Sequence, residues 1–190
     1  MPRFSIEILS QGWIDEKYAD YDLSSHGVLR VFINNIEITD QDEYQDTYGV
    51  NEAALALLRT LEQDHAPEES PYYLIPHGCN AFLMERGCPI GIDWKVTHAG
   101  NQILISDITR HNETSDEPTC RFPEAETAVN LKEYRAEILQ FARDAKGLFD
   151  ASPPRRFEGR KRVRLYNQQM HEDFWAEFNN IYQRQSLLLD

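Results

Sequence analysis

The densest collection of side chains able to do chemistry lies between residues 77 and 120: His77, Cys79, Cys88, Asp93, His98, His111 and Cys120. Thiols and imidazoles are ligands that zinc accepts, about four to an ion in a tetrahedron. The spacing argues against such a site. His77 and Cys79 sit on alternate residues, and no Cys-x-x-Cys pair anchors a knuckle. On spacing alone the set reads as small buried cysteines near surface histidines, and neither metal nor cofactor is expected. A thiol nucleophile is the other chemistry. Cys79 follows Gly78 in a predicted turn, and His98 with Asp93 would complete a triad. Asp93 and His98 have opposite parity along one predicted strand, however, so they should face opposite sides.

Other reaction classes find less support. General acid–base work needs two carboxylates at a defined separation in a cleft that splits their pKa values. The acidic residues here are too dense and too loop-like to mark such a pair. The one local glycine feature, Gly87-Cys-Pro-Ile-Gly91, has neither phosphate-loop nor dinucleotide spacing. No catalytic residue is assigned, and an enzyme is the alternative reading, by thiol or zinc chemistry around residues 77–120.

Charge is the stronger signal. The 190 residues carry a formal net charge of −13. The segment Arg155–Arg164 (RRFEGRKRVR) alone carries +5, which leaves −18 for the rest. A chain this negative is repelled by nucleic acid and anionic lipid. The basic segment holds a single aromatic, Phe157, and no nucleic-acid motif. It is expected to lie on its own acidic body or on the acidic face of a second copy. No apolar run of about 18 residues predicts a membrane span. The N-terminal residues lack a signal-peptide pattern, and three cysteines suit no disulfide framework, so a reducing cytoplasmic setting is expected.

The acids concentrate in two tyrosine-laced segments. Asp15–Asp22 (DEKYADYD) offers Asp15, Glu16, Tyr18, Asp20, Tyr21 and Asp22. Asp40–Tyr48 (DQDEYQDTY) offers Asp40, Asp42, Glu43, Tyr44, Asp46 and Tyr48. Carboxylates steer a cationic partner toward the surface, and tyrosines supply rigid amphipathic area to hold it. The chain has nine tyrosines, and four of them sit in these segments. That concentration favours a docking surface over a merely solvated rim.

The elements that must position these residues follow from periodicity. Phe4, Ile6 and Ile8 alternate in a first strand. Val28–Ile33 and Ile36–Thr39 flank Asn34-Asn35, a pair suited to the positive φ of a tight hairpin turn. The first acidic segment ends where one hairpin strand begins, and the second starts where the other ends, so both should emerge on one rim. A helix from an Asn51 cap to about Asp64 follows, then a hairpin of Ile90–His98 with Gln102–Thr109. The spacing of Leu131, Tyr134, Ile138, Phe141, Ala142, Ala145 and Leu148 predicts a helix over Leu131–Phe149, capped by Asn130. Pro153-Pro154 ends that region, and Gln168–Gln185 forms a last helix with an aromatic stripe expected to pack on the core.

The fold class expected is α+β: a mostly antiparallel sheet built from hairpins, covered on one face by about three helices. A core domain over residues 1–150 is followed by a basic linker and C-terminal helix over 151–190. The functional expectation is an acidic binding protein that neutralises a basic, toxin-like protein by occlusion. Its most concrete form is a bacterial immunity or antitoxin-type inhibitor of a nuclease toxin, without direct nucleic-acid or membrane contact. A self-associating structural or regulatory subunit, such as a homodimer joined through Arg155–Arg164, is a third reading.

Overall fold

A computed structural model describes residues 3–39, 48–79, 88–112 and 118–189, with Tyr18 described by its backbone alone. The architecture is α+β, with two antiparallel sheets and three α-helices among the described residues. The first sheet contains β1 (Phe4–Gly12), β2 (His26–Ile33), β3 (Ile36–Glu37) and β4 (Tyr48–Gly49). β1 pairs with β2 from Phe4↔Ile33 to Gly12↔His26, with a bulge between Ile8 and Ser10. The turn into β3 uses Asn34 at φ 51° and Asn35 at φ 65°, the left-handed region that asparagine tolerates.

The second sheet runs β5 (Ile75–Pro76), β6 (Gly91–Ala99), β7 (Gln102–His111) and β8 (Cys120–Arg121), in that spatial order. β9 (Thr127–Asn130) also pairs with β7, along the half that β8 does not use. The antiparallel strands expected from the hairpins are divided between two sheets, which touch through the Tyr48–His77 bridge. α1 (Val50–Arg59) packs against β2 and β4 of the first sheet and β5 of the second. Every residue from Val50 to Leu58 is buried. A helix enclosed all round its circumference belongs to the interior.

α1 also corrects its predicted ends. Asn51 is not the cap: Gly49 holds that position. The Asn51 side-chain carbonyl instead accepts from the Ser25 backbone N–H at 2.6 Å and the Ser25 hydroxyl at 2.9 Å. The helix stops at Arg59, and the chain crosses to β6, where His65 and Val96 exchange both backbone hydrogen bonds at 2.9 Å.

α2 (Leu131–Asp150) starts on Asn130, whose side chain accepts from the Lys132 backbone N–H at 2.9 Å. It lies along the outer edge of β1 and is tied to it at two points. Glu137 accepts from the Ile6 backbone N–H at 2.9 Å, and the Gln11 amide donates to the Ala145 carbonyl at 2.8 Å.

α3 (Lys161–Ser186) starts seven residues before the predicted Gln168, inside the basic segment. Its second half joins the common core through Phe174, Phe178 and Ile181. Burying each phenylalanine contributes about 1.5–3 kcal/mol. Arg59 donates to both carboxylate oxygens of Glu177, at 2.7 and 2.8 Å, and ties α3 to α1. The first two turns of α3 have no such seat: Val163, Leu165 and Tyr166 are all at least half exposed.

Candidate functional site

The first acidic segment is a folded loop rather than a loose tail. Asp15 accepts from the Lys17 backbone N–H at 2.8 Å and opens a short 3-10 turn, Glu16–Tyr18. Asp22 accepts from the Ile14 and Ser24 backbone N–H groups at 3.1 and 3.2 Å and lies 3.5 Å from the His26 ring. Burial acts to raise the Asp22 pKa. The His26 ring and the two amide donors outweigh it, and the carboxyl lies below its ordinary range.

The basic segment clasps this loop. Arg156 donates its backbone N–H to the Asp20 carbonyl at 2.7 Å, and its guanidinium lies 5.0 Å from the Tyr21 ring centroid. Burial raises the Tyr21 pKa, and the neighbouring Glu158 carboxylate raises it further. The Arg155 guanidinium donates to the Ala19 and Asp22 carbonyls and stacks on Trp13. Trp13, Arg155 and Arg156 are the positions that the sequence reading missed as parts of this loop. The charge segregation pointed to the basic segment, but nothing local pairs a tryptophan with an arginine 142 residues later.

The ends of the two acidic segments meet. β4 pairs with the start of β2 through His26↔Gly49 and Gly27↔Tyr48. The residue that follows the first loop therefore lies beside the residue that closes the second segment. Asp40, Asp42, Glu43, Tyr44, Asp46 and the Tyr18 side chain lie outside the described residues. Tyr48 requires a correction. It pairs with Gly27, bridges to His77 and is fully buried, so its ring belongs to the core and is not presented to a partner. Asp15 and Glu16 are exposed, whereas Asp20, Tyr21 and Asp22 are half-buried.

Of the thiol and imidazole set, the fold gathers His77, Cys79 and Cys88. His77 and Cys79 leave the end of β5, and Cys88 leads into β6. The two limbs are joined by β5–β6 pairing, by His77 N–H to the Ile90 carbonyl at 3.2 Å and by Tyr73 O–H to the Pro89 carbonyl at 3.1 Å. The Nδ1 atom of His77 lies 3.0 Å from the Cys79 sulfur and 3.5 Å from the Cys88 sulfur. All three atoms fall within 4.8 Å of one another. Partial burial and the neighbouring Cys88 thiol push the Cys79 pKa up to about 11. An activated nucleophile needs the opposite shift, so this arrangement does not resemble a catalytic thiol.

The remaining members go elsewhere. Asp93 is buried and lies 2.8 Å from His65 Nε2, while also accepting from the Leu74 and Trp94 backbone N–H groups. His98 pairs with Asp64 at 2.8 Å. The trial triad of Cys79, His98 and Asp93 is thus replaced by two separate His–Asp pairs, both of which pin the segment after α1 onto β6. Cys120 accepts from Arg110 at 3.4 Å on the β7–β8 pair. His111 packs against the Tyr73 ring at 5.3 Å between centroids.

A groove of about 690 Å³ runs between β1 and α2, with Glu7, Arg30, Glu137 and Asp144 in its walls. Glu137 is held by the Ile6 backbone, and Arg30 lies 3.8 Å from Glu7 and 3.3 Å from Glu37. These carboxylates are tied to structure rather than poised as an acid–base pair. Among the described residues no helix is long and apolar enough to cross a membrane. The chain matches no family model, no curated protein and no solved structure.

Proposed function

We propose that this chain is an acidic binding protein that occludes a basic protein partner. In its most concrete form it is an immunity or antitoxin-type inhibitor of a nuclease toxin. The observation that carries the reading is the pairing of His26 with Gly49 and of Gly27 with Tyr48, which brings the close of the second acidic segment beside the start of β2, four residues after the first segment ends. Asp15 and Glu16 stand exposed on a loop already held by Asp22, Arg155 and Arg156. Binding through such a loop avoids much of the ordering cost that a flexible acidic tail incurs. The carboxylates supply long-range attraction for lysines and arginines, and no active site is required.

The test begins with recovery of a partner on the immobilised full chain, washed at low and high salt. Association of the identified partner is then timed. Reversing Asp15 and Glu16 to Lys, or Asp40, Asp42 and Glu43 to Lys, is expected to slow association about tenfold or more at low salt. The urea midpoint should hardly move. Association rates unchanged in both sets of variants would reduce the acidic segments to a solvating rim.

A second reading has its own observation. The exposed start of α3 carries Arg160, Lys161, Arg162 and Arg164 beside Val163, Leu165 and Tyr166. That mix suits the acidic face of another copy. Salt-sensitive dimers at micromolar concentration would favour the self-associating subunit instead.

A further inference from the structure

We propose that His77 Nδ1, Cys79 Sγ and Cys88 Sγ form a three-ligand site for a borderline-soft divalent cation, zinc(II) foremost, at the open end of the β5–β6 pair. The inference stands apart from the acidic surface and its partner.

Geometry carries it. Zinc bonds of about 2.3 Å to sulfur and 2.0–2.1 Å to nitrogen, arranged tetrahedrally, place ligand atoms about 3.5–3.8 Å from one another. The imidazole nitrogen already stands 3.0 and 3.5 Å from the two sulfurs, and the whole set spans at most 4.8 Å. An ion therefore needs displacements of about half an ångström to seat itself. The ligands also come from a braced frame. His77 is tied to Ile90 through its backbone and bridges to Tyr48, and Cys88 is buried beside the Tyr73–Pro89 hydrogen bond. Such bracing lowers the cost of collecting ligands from two limbs of the chain.

The donor set selects the class of ion. Two thiolates and an imidazole match zinc(II), whereas calcium and magnesium take oxygen ligands. Both thiols bind as thiolates, so loading releases two protons to solvent. A disulfide is the competing chemistry for two neighbouring sulfurs. It leaves unexplained why His77 Nδ1 sits within reach of both.

The full chain, with no polyhistidine tag, should be reduced, stripped with a chelator and titrated with zinc(II) against a chromophoric chelator. One equivalent is expected to bind. Cobalt(II) should give thiolate charge-transfer absorption and the intense visible bands of a tetrahedral ion. Zinc at a hundredfold excess over its Kd should raise the melting temperature by about 5 °C or more. Cys79→Ser and His77→Ala should each weaken binding at least about tenfold, and Cys120→Ser should not. Cys79 is exposed, so its variant is expected to fold even if Cys88→Ser does not. Far-UV circular dichroism on each variant checks this. Absence of stoichiometric zinc in the folded, reduced protein overturns the site. So does unchanged affinity in folded Cys79→Ser and His77→Ala, or a Cys79–Cys88 disulfide in protein that takes no metal after reduction.

Discussion

The guanidinium carbon of Arg155 lies 4.2 Å from the centroid of the Trp13 ring, and the same side chain donates to the carbonyls of Ala19 and Asp22. One arginine thereby fastens the segment between α2 and α3 to the acidic loop between β1 and β2. Its charge rests on an aromatic face and its planar fork reaches backbone oxygens, a combination that lysine does not reproduce.

Arg155→Ala is expected to destabilise the protein by about 1–2 kcal/mol, the range for a partly desolvated cation–π contact with added hydrogen bonds. Arg155→Lys should recover only part of this. Urea denaturation gives the stability. A change in tryptophan emission at low urea would report that Trp13 has lost its cover. A midpoint unchanged in the alanine variant would mean that the loop holds its shape without the clasp.

His171 adds a pH dependence to the same region. Trp175 donates its indole N–H to His171 Nε2 at 3.1 Å, which requires that nitrogen to be unprotonated. Burial lowers the His171 pKa, and the nearby Arg155 charge lowers it further. The folded state thus binds fewer protons at this ring than the unfolded chain. Its stabilising contribution is complete above the unfolded value of about 6.5 and is lost as pH falls toward the lower folded value. Wild-type protein should lose stability between pH 7 and about 5.5, above the range where carboxylates protonate. His171→Gln should flatten that slope. Equal slopes in the two proteins would assign the effect to other groups.

Gly27 tests the close approach of β1, β2 and α1. A Cβ built there collides with the backbone carbonyl of Ser10, at the β1 bulge, and presses on the Val50 side chain. Neither the carbonyl nor the start of α1 can yield cheaply. Gly27→Ala is expected to cost about 1–3 kcal/mol. Gly12→Ala, at the other side of the same strand pair with open space around it, should stay within about 0.5 kcal/mol. Comparable losses in the two variants would show that the close approach at Gly27 is relaxed in solution.

Much of the local structure was legible in the amino-acid order because it depends on neighbours. The Asn34-Asn35 turn, the Asn130 cap and the apolar stripe of α2 need only a few adjacent residues to declare themselves. The α+β class followed from hairpins without βαβ alternation. The Asn51 cap failed for the converse reason. Ser25, 26 residues away, claims its side chain, and no local rule contains that contact.

The candidate sites divide along the same line. Charge segregation is a property of composition, so it could be read before any coordinates. Burial of Tyr48 and the clasp of Arg155 on Trp13 arise from long-range packing, and only the tertiary structure decided them. The same holds for His77, Cys79 and Cys88. Their spacing looks poor for a metal when counted along the chain: His77 and Cys79 alternate, no Cys-x-x-Cys pair is present, and eight residues separate Cys79 from Cys88. The β5–β6 pairing removes that separation by turning sequence distance into the width of a hairpin. Periodicity and charge are written residue by residue, whereas proximity between distant side chains exists only once the backbone has closed its hydrogen bonds.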